Sequence, residues 1–253
     1  MGQHFLTDPN LARAIASDAR VGPGSDVVEI GAGLGSLTVA LADAGAARVL
    51  AIEFDRELLP ALREAVSDRP AVEVVAADAT KIEWGSLLGS GTWVCCGNLP
   101  YNVGTDLVLD VLSRAPSVGR IIVMVQREVA ERLTASPGED GYGPTTLRVA
   151  YGAAAEIVRR VPPDVFWPRP SVASAVVRID RRERSAVDVD DATLWHVVEA
   201  SFAQRRKTMR AAMRRLGAPD ADSVLRTAGV APDARPGTVD LEGFARIAEA
   251  LAA

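Results

Sequence analysis

The sequence of 253 residues contains only two cysteines and no hydrophobic run long enough to span a membrane. Cys95 and Cys96 are adjacent, so they cannot join distant parts of the chain through a disulfide. Charged residues such as Asp8 and Arg13 also interrupt the N-terminal segment, where a signal peptide would have its apolar core. These deficits exclude a disulfide-rich secreted domain and predict a cytoplasmic protein with no membrane segment.

Residues that commonly bind metals are also scarce. The two histidines, His4 and His196, lie far apart in the sequence, and the cysteine pair has no second pair at the spacing of a zinc site. The sequence therefore predicts no metal centre. Hydrophobic residues make up 48% of the chain and charged residues 24%, which is typical of a globular protein and argues against disorder as its main state.

The chain has no overall excess of positive charge, because 28 Lys and Arg face 33 Asp and Glu. A formal net charge of −5 argues against non-specific binding of nucleic acid, but the charges are unevenly distributed. Residues 201–216, called the basic segment below, hold six cations and no acid. This segment is either an RNA-binding surface or a solvated basic helix face, and composition alone leaves both interpretations open.

Strand and helix patterns alternate through the first 180 residues. Apolar runs predict strands at 26–30, 48–53, 72–76, 93–97 and 120–126, with helices at 36–45, 58–66 and 107–112. Two later runs, at 156–161 and 174–179, are interpreted as edge strands. Because alternation of this kind requires crossover helices, it predicts a doubly wound, mostly parallel α/β sheet.

A polar stretch at 181–192 lacks an apolar period and is interpreted as a linker. It would separate a first domain at 1–182 from a smaller domain at 190–253. The smaller domain shows three helical patterns and no strand pattern, at 194–216, 220–228 and 242–252. The sequence therefore predicts an all-helical C-terminal domain that carries the basic segment.

A glycine-rich turn follows the first predicted strand, where residues 29–35 read Glu-Ile-Gly-Ala-Gly-Leu-Gly. Gly31 and Gly33 allow a tight turn and let a ligand approach the backbone without interference from a Cβ atom. Glu53 ends the second strand, where a carboxylate can accept hydrogen bonds from ribose hydroxyls, and Asp78 follows the third, where one can accept from an adenine amino group. Since parallel strands end at the same edge of a sheet, these residues predict a nucleotide-type cofactor site.

The glycine spacing favours S-adenosylmethionine over NAD as the cofactor. The pattern is G-x-G-x-G, and Ser36 stands where the dinucleotide motif has its last glycine. A methyl donor has no pyrophosphate, so it does not need that helix N-terminus bare. A simpler interpretation stays open, in which Glu29 and Asp78 cap helices or lie at the surface and Glu53 is a solvated residue at a strand end.

Asn98, Leu99, Pro100 and Tyr101 follow the fourth strand and suit the chemistry of an adenine amino group. The lone pair of that nitrogen is delocalised into the ring, and donation of its two N–H groups to Asn98 Oδ1 and the Leu99 carbonyl would hold the nitrogen closer to tetrahedral. Pro100 fixes the backbone without adding a competing N–H, and Tyr101 supplies a ring on which a base can stack. Phe166 is a candidate second stacking face, with packing at the end of the sheet as its alternative role.

Motifs spread over nearly the whole chain resemble the rRNA adenine N6,N6-dimethyltransferase family. They are the Gly31–Gly35 loop, Asn98–Tyr101, Gly-Gln-His-Phe-Leu at 2–6, Gln-Arg-Glu-Val-Ala at 126–130, Phe-x-Pro-x-Pro-x-Val at 166–172 and Phe-Ala-Gln-Arg-Arg-Lys-Thr at 202–208. Residues 131–143 and 205–207 favour the KsgA-type branch, whose members dimethylate two adjacent adenosines near the 3′ end of small-subunit (16S) rRNA. The related Erm-type enzymes act on large-subunit rRNA.

The resemblance implies a Rossmann-like class I methyltransferase fold that binds S-adenosylmethionine and takes part in small-subunit biogenesis. The cofactor-binding residues it implies are His4, Leu6, Gly31, Gly33, Glu53, Asp78 and Asn98. The residues it implies around the target base are Asn98, Leu99, Pro100, Tyr101 and Phe166. Three places depart from the family pattern: His4 replaces a frequent Asn, Ala173 replaces a usual Asp, and residues 145–148 differ.

The candidate RNA-binding residues are Arg205, Arg206, Lys207, Arg210 and Arg214. If 194–216 is one helix, the arginines at 206, 210 and 214 recur every four residues on one face, where their planar groups suit phosphates. The expected partner is small-subunit rRNA, in the small ribosomal subunit or its precursor, and the expected state is a monomer. The alternatives are an Erm-like large-subunit enzyme, a non-catalytic RNA-binding assembly factor and a NAD-dependent oxidoreductase.

Overall fold

Strands and helices alternate through the first 180 residues of the structure, a computed structural model that describes residues 3–100 and 103–252. In chain order the strands are β1 (Phe5–Leu6), β2 (Asp26–Ile30), β3 (Arg48–Glu53), β4 (Val72–Ala76), β5 (Trp93–Asn98), β6 (Val118–Gln126), β7 (Ala153–Val161), β8 (Phe166–Trp167) and β9 (Ser174–Arg181). The helices are α1 (Pro9–Asp18), α2 (Ser36–Asp43), α3 (Leu59–Ala65), α4 (Trp84–Leu88), α5 (Gly104–Arg114), α6 (Arg127–Thr134), α7 (Pro144–Gly152), α8 (Asp191–Phe202), α9 (Met209–Arg215), α10 (Ala221–Thr227) and α11 (Leu241–Ala252). The strands predicted from apolar runs are confirmed.

Seven of the described strands form one sheet in the order β4-β3-β2-β5-β6-β9-β7. The first five strands in this order run parallel, and β9 runs antiparallel to β6. The chain builds outward from β2 in one direction and from β5 in the other, so these two neighbours flank the switch point where such sheets bind ligands. The predicted doubly wound α/β fold is confirmed, but the prediction of an edge strand at 174–179 is wrong because β9 lies inside the sheet.

The register of the central strands aligns their carboxyl ends. Ile30 in β2 pairs with Ile52 in β3 and with Gly97 in β5, and Glu53 in β3 pairs with Ala76 in β4. The interiors of β2 and β3 are fully buried, as expected for parallel strands covered on both faces. The residues that follow β2, β3, β4 and β5 therefore lie at one edge of the sheet.

A separate two-stranded sheet joins β1 to β8 in antiparallel orientation, with Phe5 opposite Trp167 and Leu6 opposite Phe166. The sequence does not predict either strand, because two residues are too few to show an alternating pattern. This pairing ties the N-terminal segment to the chain around residue 166.

The basic segment does not continue one helix, so the prediction of a helix over 194–216 is wrong. Helix α8 ends at Phe202, a turn follows in which Lys207 N–H donates to the Gln204 carbonyl (2.8 Å), and α9 starts at Met209. The Thr208 hydroxyl caps α9 by accepting from Ala211 N–H (3.4 Å), which explains why the second helix begins there. The predicted shared face of the arginines at 206, 210 and 214 is therefore absent, since residue 206 lies in the turn.

The chain separates into two compact units: Met1–Ala130 with Ala154–Arg181, and Glu131–Ala153 with Arg182–Ala253. This division differs from a boundary near residue 182, because 131–153 belong with the C-terminal helices. The physical reason is a shared apolar core, in which Tyr142 and Leu147 pack with Leu194 and Phe244.

Among the described residues, no helix is long and apolar enough to cross a bilayer.

Candidate active site

A cavity of about 650 Å³ opens at the edge of the sheet where the parallel strands end. Its walls come from the N-terminal segment, the glycine turn after β2, and the residues that follow β3, β4 and β5. The size suits a nucleoside-sized ligand, since small-molecule sites commonly measure several hundred Å³. The glycine turn and the Asn98 turn, which the sequence predicts to share one site, both line it.

The glycine turn depends on backbone angles that favour glycine. Gly31 has φ +76° and Gly33 has φ +58°, both in the left-handed region. A Cβ atom at Gly31 would lie 3.4 Å from the Asn98 carbonyl oxygen, so the two turns approach each other closely. Without Cβ atoms at these two positions, a ligand can approach the backbone of the turn closely.

Glu53 is 6% exposed, so the interpretation of a solvated residue at the strand end is wrong. Its Oε2 accepts from the backbone N–H of Gly33 (2.7 Å) and its Oε1 accepts from that of Asp55 (2.8 Å). The two bonds hold the carboxylate against the cavity and leave each oxygen a further lone pair. This arrangement fits the predicted acceptance of ribose hydroxyls, which stays a prediction.

Asp78 both caps a short helical turn and lines the cavity. Its Oδ1 accepts from the Thr80 hydroxyl (2.7 Å) and N–H (3.1 Å), and Lys81 Nζ lies 3.2 Å from Oδ2. The hydrogen bonds from Thr80 and then Lys81 hold the pKa of Asp78 below its usual value. The side chain is therefore an ionised acceptor at neutral pH, as its proposed contact with an adenine amino group requires.

Glu29 is an acid of the cavity wall for which the sequence analysis offers only a role as a helix cap or a surface residue. It is 1% exposed and lines the cavity, so it is neither a helix cap nor a surface residue. Its Oε2 has no hydrogen-bond partner among the described residues. Burial, reinforced by the nearby charge of Glu53, raises its pKa from 4.5 to about 7. A buried carboxyl with one oxygen unpartnered, beside a cavity, is suited to a ligand that carries a positive charge.

Asn98 ends β5 and is held by the N-terminal segment, because its Nδ2 donates to the His4 carbonyl (2.9 Å). This orientation leaves Oδ1 as the atom of the amide that accepts. Leu99 N–H donates to the Met124 carbonyl on β6 (3.0 Å), which fixes the turn before the exposed Pro100. Tyr101, the predicted stacking residue, lies outside the described residues.

The N-terminal segment is fastened over the cavity by side chains. His4 Nδ1 donates to the Pro168 carbonyl (2.6 Å), and the Ser36 hydroxyl donates to the Leu6 carbonyl (2.7 Å). Gln3 Nε2 also donates to Asp55 Oδ2 (3.1 Å). The predicted cofactor residues at 4 and 6 thus line the cavity together with the glycine turn and Asn98.

Phe166, the predicted second stacking face, is 4% exposed and packs in an apolar core with Ala12, Ile15 and Leu6. It is not among the residues that line the cavity. The structure therefore gives this ring the alternative role that the sequence left open, which is packing beside the sheet. Its neighbour Trp167 is 67% exposed.

The basic segment presents its cations unequally. Arg206 and Lys207 are exposed in the turn before α9, and Arg205 beside them donates to the Asp140 carbonyl (3.4 Å). Arg210 is half-buried and forms an ion pair with Asp222 (Nε to Oδ1, 2.5 Å). The predicted phosphate contacts therefore fit the turn and the exposed Arg214 better than Arg210.

Two further residues of the cavity region escape sequence reasoning. Phe54 is 63% exposed and lines the cavity directly after Glu53, where its ring can contact a flat ligand. A Cβ atom at Gly97 would lie 2.5 Å from the Ile30 carbonyl, so only glycine fits in β5 beside β2. An exposed aromatic after a strand-end acid is a signal that the sequence does contain. No cluster of three or more potential metal ligands occurs within 3–100 and 103–252.

The chain matches the family described as ribosomal RNA adenine dimethylase across residues 1–253. It is 42% identical to ribosomal RNA small subunit methyltransferase A of Moorella thermoacetica, over 99% of this chain and 91% of that protein. It is 44% identical to the protein of the same name from Roseobacter denitrificans, over 100% of this chain and 91% of that one.

Two solved structures share the fold over nearly the full length. The 23S rRNA methyltransferase ErmE has a TM-score of 0.78 at 29% identity, over 98% of this chain and 100% of that one. A dimethyladenosine transferase from Plasmodium falciparum has a TM-score of 0.83 at 24% identity, over 96% of each chain.

Proposed function

The chain belongs to the ribosomal RNA adenine dimethylase family, and we propose that it dimethylates the amino nitrogens of two adjacent adenosines near the 3′ end of small-subunit rRNA. The observation that carries the proposal is the single cavity lined by Glu53, Asp78, the glycine turn and the Asn98 turn. The methyl donor is S-adenosylmethionine, which supplies an electrophilic methyl group on a positively charged sulfonium.

The cavity wall offers a partner for each part of this donor. Glu53 is proposed to accept from the ribose hydroxyls and Asp78 from the adenine amino group, and both line the cavity. The exposed ring of Phe54 is proposed to cover the adenine. The glycine turn leaves space that a Cβ atom would fill. Glu29, buried and unpartnered at Oε2, is suited to the positive charge of the methionine portion.

The Asn98 turn prepares the amino nitrogen of the target adenine. In the first transfer Asn98 Oδ1 and the Leu99 carbonyl accept one N–H each, which holds the nitrogen closer to tetrahedral and turns its lone pair out of the ring. In the second transfer the monomethylated nitrogen has one N–H left to donate to this turn. The bond from Asn98 Nδ2 to the His4 carbonyl fixes which amide atom accepts. A direct methyl transfer of this kind needs no strong general base. Positioning of the nitrogen therefore accounts for much of its rate.

The exposed cations of the basic segment, Arg206, Lys207 and Arg214, are proposed to contact RNA phosphates. The expected partner is the small ribosomal subunit or its precursor in the cytoplasm, and the expected oligomeric state is a monomer. An Erm-like activity on large-subunit rRNA is a second candidate, supported by similarity to ErmE at 29% identity. The relatives at 42% and 44% identity carry small-subunit names and therefore favour the first proposal.

A transfer assay with tritiated S-adenosylmethionine tests the proposal. Unmethylated small subunits should accept up to four methyl groups, two on each adenosine, and primer extension should stop at two adjacent positions near the 3′ end. Large subunits should accept none. Label on large subunits alone would support the Erm-like candidate, and no transfer to either would indicate a non-catalytic assembly factor.

A further inference from the structure

The most exposed large hydrophobic side chain of the described residues is Trp167, at 67%. Scattered exposed hydrophobic residues are common, so exposure alone decides nothing. Trp167 is different because Pro168, Arg169 and Val172 beside it are exposed as well, so the indole stands in an open apolar strip next to a cation. An aromatic face beside an arginine is a typical combination for binding a single-stranded nucleic acid.

Strand pairing determines which way the indole faces. Trp167 lies opposite Phe5, and Phe166 lies opposite Leu6, in the antiparallel pair β1–β8. Side chains of directly opposed residues share a face, and successive residues alternate. Leu6 and Phe166, at 5% and 4% exposure, take the core face, so Trp167 shares the other face with Phe5.

Strand β1 forms one wall of the cavity. Phe5 and Leu6 both line it, whereas Trp167 lies outside its lining, and a Cβ atom at Gly33 would lie 3.4 Å from Phe5 Cδ1. Two hydrogen bonds continue the connection toward the target nitrogen, from Asn98 Nδ2 to the His4 carbonyl (2.9 Å) and from His4 Nδ1 to the Pro168 carbonyl (2.6 Å). The indole therefore lies on the strand that pairs with β1, next to the wall of the proposed methyl-transfer site.

We propose that Trp167 is an RNA-contacting residue that stacks on the base adjacent to the adenosine in the cavity. The inference rests on the proposed function, because it requires an RNA acceptor whose target base is turned into the cavity. Such a base leaves neighbours that are no longer stacked on both sides, and a free indole face covers one of them. A stack of this kind selects a single-stranded or unpaired acceptor rather than a specific sequence.

Affinity measurements with unmethylated small subunits test the inference. Trp167→Ala should weaken RNA binding, and raise KM for the subunits, by roughly five- to a hundredfold, with kcat changed less than twofold. Trp167→Phe should restore affinity to within about threefold, because a phenyl ring also stacks. Glu73→Ala, at an exposed side chain on the edge strand β4 and outside this strip, is the matched control and should change neither quantity. Calorimetry should give the same cofactor Kd for all four proteins.

Fluorescence gives a readout that does not depend on activity. Trp84 and Trp93 are 1% exposed and are therefore protected from a quencher. The difference in fluorescence between the wild type and Trp167→Phe separates the signal of Trp167 from that of the half-buried Trp195. A short RNA loop with two adjacent adenosines should protect that signal from acrylamide quenching.

The two proposals fail in distinguishable ways. A wild type that transfers no methyl group to RNA defeats the proposed function, and the inference about Trp167 falls with it. Normal transfer by the wild type, together with unchanged RNA affinity of a folded Trp167→Ala protein, overturns the Trp167 inference alone. An altered oligomeric state in Trp167→Ala would likewise overturn it, since the indole would then be a protein contact.

Discussion

The cavity and the basic segment show two different ways in which a chain presents polar groups. In the cavity, Glu53 and Asn98 are held by two and one hydrogen bonds to the backbone, and Glu29 is fully enclosed. In the basic segment, Arg206 and Lys207 stand exposed on a turn. The first arrangement fixes atoms for chemistry, whereas the second offers charge whose position can adapt to a flexible partner.

The difference predicts how each region responds to substitution. A change in the cavity should alter the rate of transfer or the stability of the fold, because the groups there are oriented and desolvated. A change in the basic turn should alter RNA affinity in a salt-dependent way and leave the other properties intact.

Asn98→Ala is expected to give the largest effect. It removes the acceptor of the adenine N–H and the bond to the His4 carbonyl, so kcat for methyl transfer to small subunits should fall about a hundredfold or more. Single-turnover transfer with saturating donor and RNA measures the chemical step. Normal turnover by this variant would remove the turn from the mechanism and with it the contrast between the two regions.

Asn98→Asp is the matched control, because it keeps the acceptor oxygens and loses the Nδ2 donor to His4. If acceptance is the main role, this variant should retain more activity than Asn98→Ala. If both variants are equally inactive, the bond that fastens the N-terminal segment matters more than the acceptor.

The cavity was more predictable from sequence than the basic segment, for a topological reason. In a parallel sheet every strand ends at the same edge, so the spacing from Gly33 to Glu53 and on to Asn98 is enough to bring distant residues together. No such rule places residues 204–207, where a turn closed by the bond from Lys207 N–H to the Gln204 carbonyl interrupts a pattern that reads as one helix.

Two other features depended on contacts that no local pattern records. The pairing of β1 with β8 joins segments about 160 residues apart, and it puts Phe166 and Trp167 on opposite faces, of which the first is buried and the second exposed. The inclusion of 131–153 in the C-terminal unit depends on Tyr142 and Leu147 joining its core.

Glu29→Gln tests the prediction that a change in the cavity alters the stability of the fold. The folded-state pKa of Glu29, about 7, lies above the unfolded value of 4.5, so the folded protein holds this proton more tightly. The contribution of protonated Glu29 to the free energy of unfolding is fully present below the unfolded pKa and is lost as the pH rises through about 7. The glutamine variant should therefore be more stable than the wild type at pH 8, by up to about 3 kcal/mol. Its free energy of unfolding should also change less with pH between pH 4.5 and 7.

Urea unfolding of the donor-free protein across this pH range measures the effect. Glu73→Gln, at an exposed carboxyl paired with Arg48, is the control and should change stability by less than about 0.5 kcal/mol. Calorimetry should show weaker donor binding by Glu29→Gln, because the neutral amide no longer faces the positive charge. A variant that is less stable at pH 8 would mean that Glu29 has a compensating partner in solution.

Charge reversal in the basic turn, Arg206→Glu with Lys207→Glu, should have the smallest effect, about a tenfold loss of affinity for small subunits at moderate salt. Two cations that contact phosphates release counterions, so the slope of log affinity against log salt should fall by about 2 in magnitude. Arg226→Glu with Arg235→Glu makes the same charge change at exposed positions of the same unit and should leave that slope nearly unchanged. Donor Kd should be identical in all proteins, because these residues belong to a different compact unit from the cavity. Equal losses in the two double variants would mean that net charge, rather than the turn itself, attracts the RNA.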